Sequence, residues 1–104
     1  MSNYIIYKLC CDDCDEIYVD FTKTNAFRQR KSCHKSGCTN ENDINYNKQI
    51  NQQIREFGGW DNWRMICIEE CDETIQTRRQ AETKVEEWRL KLKEELNSNS
   101  KKSN

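Results

Sequence analysis

The fold is decided by the stretch from Tyr4 to His34, which begins with the strand-like run Tyr-Ile-Ile-Tyr-Lys-Leu at residues 4–9. Apolar and polar side chains alternate there in the two-residue period of a β-strand. An acidic turn over residues 10–16 separates this run from a second one, Ile-Tyr-Val-Asp-Phe at residues 17–21. The pattern therefore predicts a β-hairpin, followed by a helix from residue 26 to about residue 35.

The predicted helix places Phe27, Arg30 and His34 on one face, because their spacing is i, i+3, i+7. Two tyrosines on the paired strands, Tyr7 and Tyr18, together with Arg30, form a constellation that is able to hold a phosphodiester. Each residue also has a plainer interpretation. The tyrosines suit strands, Arg30 suits a solvated surface, and a lone histidine is often structural.

The rest of the chain predicts two further helices and one further strand. The second helix spans Asp43–Phe57 and ends at Gly58 and Gly59, the third strand covers residues 63–69, and the last helix runs from Ile75 to Leu96. The core stripe of the last helix is Ala81, Val85, Trp88 and Leu92. The order β-β-α-α-β-α predicts an α+β fold, a small three-stranded antiparallel sheet flanked by helices. We expect one domain over residues 1–97 and a disordered tail over residues 98–104.

The composition suits one small intracellular domain. The chain has 104 residues, 35% of them hydrophobic, and a formal net charge of −1. No apolar run approaches the roughly 18–20 residues of a membrane span, so no membrane partner is expected. The first residues lack the basic and apolar regions of a signal peptide. We therefore expect a protein of the cytoplasm, the nucleus or a virion.

Positive charge is concentrated on the first predicted helix, although the whole chain is nearly neutral. The basic side chains Arg28, Lys31 and Lys35 are candidates for contacts with a nucleic-acid substrate. A solvated helix face is the alternative interpretation of such a run. A near-neutral protein is not expected to bind DNA strongly and without specificity.

The seven cysteines leave three alternatives open. The first helix is expected to run back towards the hairpin turn, which would bring Cys11 and Cys14 close to Cys33 and Cys38. Four thiolates suit a tetrahedral structural zinc ion. The alternatives are disulfides in an oxidising setting such as a virion, or reduced thiols.

Taken together, these residues resemble the GIY-YIG nuclease superfamily over roughly residues 4–97. The first signature corresponds to Ile5-Ile6-Tyr7 and the second to Tyr18-Val19-Asp20. Phe27, Arg30 and His34 fall at the spacing of the family's first helix. The segment Gly58-Gly59-Trp60-Asp61-Asn62-Trp63 is similar to one in small members from large DNA viruses. Trp88, Leu92 and Asn97 match the end of the family's last helix, and Asn97 is a candidate substrate contact.

The resemblance implies an endonuclease that hydrolyses a phosphodiester of DNA with one divalent metal, Mg²⁺ or Mn²⁺. Tyr7 or Tyr18 would help to deprotonate the attacking water, and Arg30 would steady the phosphate in the transition state. His34 would share a proton with a tyrosine or form a hydrogen bond to it. A glutamate of the last helix would hold the metal.

The chain departs from the family pattern at that glutamate. The metal-ligand position is Val85, three residues before Trp88, and valine cannot bind Mg²⁺. Ile5 and Asp20 also stand where the family has glycines, and Asp20 adds negative charge where a phosphate would arrive. These departures predict an impaired nuclease that acts as a binding or structural module, with a protein partner as one option. The alternative is an active endonuclease in which Glu82, one helical turn earlier, is the substitute ligand.

Overall fold

The computed structural model describes the backbone of residues 3–102 and the side chains of residues 3–93. Three strands and three α-helices follow one another there, which confirms the predicted α+β class and the order β-β-α-α-β-α. They are β1 (Tyr4–Cys10), β2 (Tyr18–Lys23), α1 (Phe27–Thr39), α2 (Gln49–Glu56), β3 (Arg64–Glu70) and α3 (Arg78–Lys102). Within residues 3–102, none of the helices combines the length and the apolar character that a membrane crossing requires.

The three strands form one antiparallel sheet in the order β2-β1-β3, so the first strand lies in the centre. Tyr7 of β1 is opposite Asp20 of β2 on one side and Cys67 of β3 on the other. Pairing on both sides holds the backbone of β1 by hydrogen bonds along its length. The central strand is therefore a rigid support for the side chain of Tyr7.

The sheet buries a different set of side chains on each face. On the face covered by α3, here called the α3 face, Ile6 and Val19 pack against Val85 and the rest of the predicted core stripe. On the opposite face, here called the α1 face, Tyr7 and Leu9 pack beneath α1 and α2. Side chains of successive strand residues point to opposite faces, which is why neighbours such as Ile6 and Tyr7 belong to different cores.

The second helix is shorter than predicted, since it begins at Gln49 rather than at Asp43. The intervening segment forms turns, in which the carboxylate of Asp43 accepts a hydrogen bond of 2.8 Å from the backbone N–H of Asn45. Asn and Asp side chains compete in this way with helical hydrogen bonding. The segment has five Asn or Asp residues between positions 40 and 47, which favours turns over helix.

The last helix begins at Arg78 rather than at the predicted Ile75. The hydroxyl of Thr77 accepts a hydrogen bond of 3.2 Å from the backbone N–H of Gln80, whose own side chain accepts one of 3.0 Å from the N–H of Thr77. This reciprocal pair is a capping box, which satisfies two N–H groups that a helix start leaves without partners.

The last helix also ends later than predicted: its helical backbone continues to Lys102 rather than ending at Leu96. The side chain of Asn97 lies outside the described residues, so its candidate substrate contact stays a prediction. The disordered tail expected over residues 98–104 also stays a prediction, since no side chain in that range is described and residues 103–104 lie outside the described backbone.

Candidate functional site

Tyr7 lies at the centre of the candidate site, because its side chain is fully buried on the central strand. Its hydroxyl is 2.8 Å from Nε2 of His34 on α1, so the predicted hydrogen bond between this histidine and a tyrosine is present. The ring of Phe27, on the same helix, meets the Tyr7 ring edge-on with 6.1 Å between the centroids. The i, i+7 spacing of Phe27 and His34 thus places both side chains against the sheet.

The second tyrosine, Tyr18, contacts the same histidine. The centroids of the Tyr18 and His34 rings are 6.0 Å apart, again edge-on. The Tyr18 hydroxyl donates a hydrogen bond of 3.0 Å to Oδ2 of Asp20, two residues along β2. The other carboxylate oxygen of Asp20 accepts a bond of 2.8 Å from the backbone N–H of Phe21. Both oxygens of Asp20 are therefore engaged within the chain.

Burial favours the uncharged forms of the Tyr7 and Tyr18 phenols and of the His34 imidazole. Burial, followed by the nearby Asp20, raises the pKa of Tyr7, and the same two causes raise the pKa of Tyr18 to about 12. Burial, followed by Arg30, lowers the pKa of His34 below its ordinary 6.5. At pH 7 both phenols are protonated and the imidazole is neutral. The Tyr7–His34 pair can thus relay a proton, since a neutral imidazole can accept one.

An open cleft of about 770 Å³ lies beside the edge strand β2, with α1 on one side and α3 on the other. The charged side chains that line it are Asp20, Lys23, Arg30, Arg78, Glu82, Glu86 and Arg89. We call it the arginine cleft, after its three guanidinium groups. A guanidinium presents a planar fork of N–H donors that matches two oxygens of a phosphate group.

Two of the three arginines, Arg78 and Arg89, were not among the residues singled out from the sequence. They lie on α3 with Glu82 and Glu86 at the spacing i, i+4, i+8, i+11, which is one helical stripe. This stripe is displaced by one residue from the core stripe that contains Val85. The stripe itself was visible in the sequence, but its position beside β2 and Arg30 was not, because that depends on how α3 packs on the sheet.

Val85 stands at the position where the resembled family has its metal-binding glutamate, and its side chain has no atom that can bind a metal ion. Val85 is 7% exposed and packs in the core of the α3 face. Among the side chains of residues 3–93, no three histidines, cysteines or carboxylates are grouped so as to hold a metal ion. Mg²⁺ often takes only one or two protein carboxylates, with water and phosphate as its other ligands. Glu82 and Val85 both line the arginine cleft, but only Glu82 has a carboxylate that fits that limited role.

The other basic residues of α1 do not line the cleft. Arg28, Lys31 and Lys35 are exposed, and their positions are roughly 100–160° around the helix from Arg30. The structure therefore does not bring these three predicted substrate contacts together with Arg30. They form a solvated helix face, which was the alternative interpretation of the charge run.

The structure does not bring the four cysteines of the predicted zinc set together among the described residues. Cys33 and Cys38 both lie on α1, but five residues along a helix is a rotation of roughly 140°. Cys33 is exposed, whereas the thiol of buried Cys38 donates a hydrogen bond of 3.3 Å to Asn51. Cys11 and Cys14 do lie side by side, with 3.7 Å between their sulfur atoms.

Comparison with known proteins gives no further assignment. No protein-family model matches the chain, and neither a curated protein nor a solved structure matches it significantly.

Proposed function

We propose that this chain is a GIY-YIG endonuclease-like domain that binds a DNA strand in the arginine cleft and is impaired in metal-dependent hydrolysis. One observation carries the proposal. The cleft is lined by three guanidinium groups beside Asp20, while the position that the resemblance assigns to the metal ligand is Val85, which reaches the same cleft with an apolar side chain that packs in the core. Phosphate-binding groups without the metal ligand suit binding better than cleavage.

Binding would rest on the arginines as phosphate contacts. Arg30 comes from α1 and Arg89 from α3, so the two guanidinium groups face the cleft from opposite sides of β2. A strand lying between them would exchange counterions for arginine contacts, which makes its affinity depend on salt concentration. The nearby Asp20 repels phosphate and limits the affinity, in keeping with a chain whose net charge is −1.

Impaired hydrolysis is supported by the state of the tyrosines as well. Deprotonating water requires a base. A phenol is ordinarily protonated at neutral pH, and burial raises the pKa of Tyr7 further. Tyr7 can take a proton only by passing its own to His34, which lies 2.8 Å away. With Val85 in place of a metal ligand, the charge that develops on phosphate during hydrolysis lacks the stabilisation that a metal ion gives.

The binding test compares two arginines of the same helix. Fluorescence anisotropy of labelled single-stranded and duplex DNA, with a chelator present, should show affinity falling about tenfold for Arg30→Ala, since charged phosphate contacts contribute on the order of 1–3 kcal/mol. Arg28→Ala is the matched control, because it removes the same charge from the outer face of α1. Equal losses in both variants would place binding outside the cleft. A folded protein that binds neither DNA form would overturn the DNA-binding proposal and favour a protein partner.

The hydrolysis test restores the missing carboxylate. In nicking of supercoiled plasmid with Mg²⁺ or Mn²⁺, the natural chain should be inactive and Val85→Glu should gain activity. Val85→Gln is the control, because it has the same size as glutamate but no charge. Circular dichroism must show that both variants are folded, since a charge buried at this position is costly. Nicking by the natural chain that disappears in Arg30→Ala would overturn the claim of impaired hydrolysis.

An active endonuclease is the second candidate function, because Glu82 lines the same cleft as Arg30 and offers one carboxylate ligand for Mg²⁺ or Mn²⁺. If the natural chain nicks plasmid DNA, Glu82→Gln should abolish the activity. The exposed Glu87, which does not line the cleft, supplies the control Glu87→Gln. Activity that survives Glu82→Gln would exclude Glu82 as the metal ligand.

A further inference from the structure

Two cysteines of the turn between β1 and β2 lie side by side. The thiol of Cys11 is directed at that of Cys14, with 3.7 Å between the sulfur atoms. A disulfide bond is about 2.05 Å long, so the two atoms need to approach by only about 1.7 Å to form one. The spacing Cys-x₂-Cys keeps the two thiols in one short turn at all times.

The two thiols differ in their access to solvent. Cys11 is 8% exposed and belongs to the core of the α1 face, whereas Cys14 is partly exposed at the border of that core. The Cys14 thiol lies 3.8 Å from the backbone carbonyl of Glu16, to which it donates, and the side chain of Gln53 also forms a hydrogen bond with it. Cys14 is therefore the more accessible of the two thiols to a small molecule in solution.

The residues between the two cysteines are held by contacts from outside the turn. Asp13 accepts a hydrogen bond of 2.6 Å from the side chain of Asn62. Asp12 forms an ion pair of 2.8 Å with Arg64 on β3. Such contacts restrict the turn before any bond forms, so that closing the disulfide orders little additional chain.

We propose that Cys11 and Cys14 form a redox-active dithiol, which closes to an intrachain disulfide by exchange with a low-molecular-weight disulfide such as oxidised glutathione. The proposal is independent of the nucleic-acid-binding function. The Cys14 thiolate attacks one sulfur of the glutathione disulfide, forming a mixed disulfide and releasing one glutathione thiolate. The Cys11 thiolate then attacks the Cys14 sulfur and releases the second. The protein loses two electrons and two protons, and two molecules of reduced glutathione are formed.

The test uses the full chain with Cys33→Ser and Cys67→Ser, which removes the two exposed thiols that would link separate molecules. The protein is equilibrated in glutathione buffers of increasing oxidised fraction, its free thiols are alkylated, and the tryptic peptide of residues 9–23 is analysed by mass spectrometry. We expect this peptide to lose two alkylation sites and two hydrogens. Formation of the Cys11–Cys14 disulfide should require about tenfold less oxidised glutathione than formation of the mixed disulfide on Cys14 in the Cys11→Ser variant.

Cys10→Ser is the matched control, because Cys10 neighbours Cys11 but belongs to the opposite side of the strand. It should leave the closure unchanged, whereas Cys11→Ser and Cys14→Ser should each abolish it. Circular dichroism should show that all variants remain folded. A stable glutathione adduct on Cys14 with Cys11 still free would overturn the proposal. A cross-link that survives Cys11→Ser but disappears in Cys10→Ser would also overturn it, since the partner would then be Cys10.

Discussion

At adjacent positions, the central strand β1 buries an apolar side chain on one face of the sheet and a hydrogen-bonded side chain on the other. On the α3 face, Ile6 is fully buried against Val19 and Val85, and the contacts are apolar. On the α1 face, the next residue, Tyr7, is equally buried but carries a hydroxyl bonded to His34. A hydrogen-bonded polar pair is thus buried on one face, whereas position 85 on the other face is filled by an apolar side chain.

The difference shows how each face achieves its stability. Apolar burial is non-directional and depends on the area removed from water. A buried hydroxyl is tolerated only when it has a partner. Among the described side chains, no buried nitrogen or oxygen atom lacks a hydrogen-bond partner. We therefore expect stability to fall when a single hydrogen-bonding atom is removed from the α1 face, and when buried apolar volume is removed from the α3 face.

The largest effect is expected on the apolar face. Ile6→Ala should lower the free energy of unfolding by about 2–5 kcal/mol, because it removes buried methyl groups and leaves a cavity. Urea unfolding followed by circular dichroism measures the change. Ile44→Ala, at a side chain that is 96% exposed, is the control and should change stability by less than about 0.5 kcal/mol. Equal effects at the two positions would show that Ile6 is not part of the core.

A smaller effect, with a different signature, is expected on the polar face. His34→Leu should cost about 1–3 kcal/mol, since the Tyr7 hydroxyl would then be buried without its partner. The same change in a Tyr7→Phe background should cost less, because no hydroxyl is left unpaired. Urea unfolding of His34→Leu, Tyr7→Phe and the double variant measures the interaction free energy between the two residues. Strictly additive effects would mean that the hydrogen bond contributes nothing.

The third prediction concerns the N-terminal cap of α3, the helix that covers the apolar face. Thr77→Ala removes the hydroxyl that accepts the backbone N–H of Gln80, and should cost about 1 kcal/mol. Thr83→Ala is the control inside the same helix, where alanine is a better helix former than threonine, and should be neutral or stabilising. Thermal unfolding of both variants measures the difference. A Thr77→Ala protein as stable as Thr83→Ala would contradict the capping role.

The smallest effect concerns pH and is confined to the polar face. The pKa of His34 is lowered below 6.5 in the folded protein by burial and by Arg30, with opposing and reinforcing contributions from Asp20 and Lys48. As the pH falls below about 6.5, the unfolded chain binds a proton before the folded one does, so stability declines until the folded pKa is passed. Urea unfolding at about pH 7.5 and about pH 5.5 should show this loss. His34→Gln should reduce this loss of stability at low pH. A pH dependence that is unchanged in His34→Gln would contradict the role of His34.

Local patterns in the sequence were sufficient for much of the fold. The period of the apolar residues gave the hairpin, the helices and the core stripe containing Val85. The glycines after α2 ended that helix as predicted, since Gly58 and Gly59 have φ angles of 96° and 84°. The errors lie at helix boundaries: α2 and α3 begin later than predicted, and α1 and α3 extend past their predicted last residues. At Asp43 and Thr77, polar side chains bind the backbone, and such competition is decided by a few hydrogen bonds rather than by periodicity.

The candidate site was predictable only in part. The helical spacing of Phe27 and His34 was enough to place the histidine against the sheet, where it binds Tyr7. The contribution of Arg89 was not recognised, because β2 and α3 are separated by more than fifty residues and meet only through the packing of α3 on the sheet. The grouping of Cys33 with Cys38 failed for the opposite reason, since helical rotation separates residues that are close in sequence.

What the amino-acid sequence determined by itself was the set of elements, their order and the face that each buries, because these follow from local periodicity and turn chemistry. It also determined that the side chain of Val85 cannot hold a metal ion, because an isopropyl group has no donor atom. Only the tertiary structure decided which distant side chains share a space. The antiparallel pairing places Asp20 opposite Tyr7, and the packing of α3 across the sheet brings three arginines to one cleft. These relations depend on long-range contacts, which no local pattern encodes.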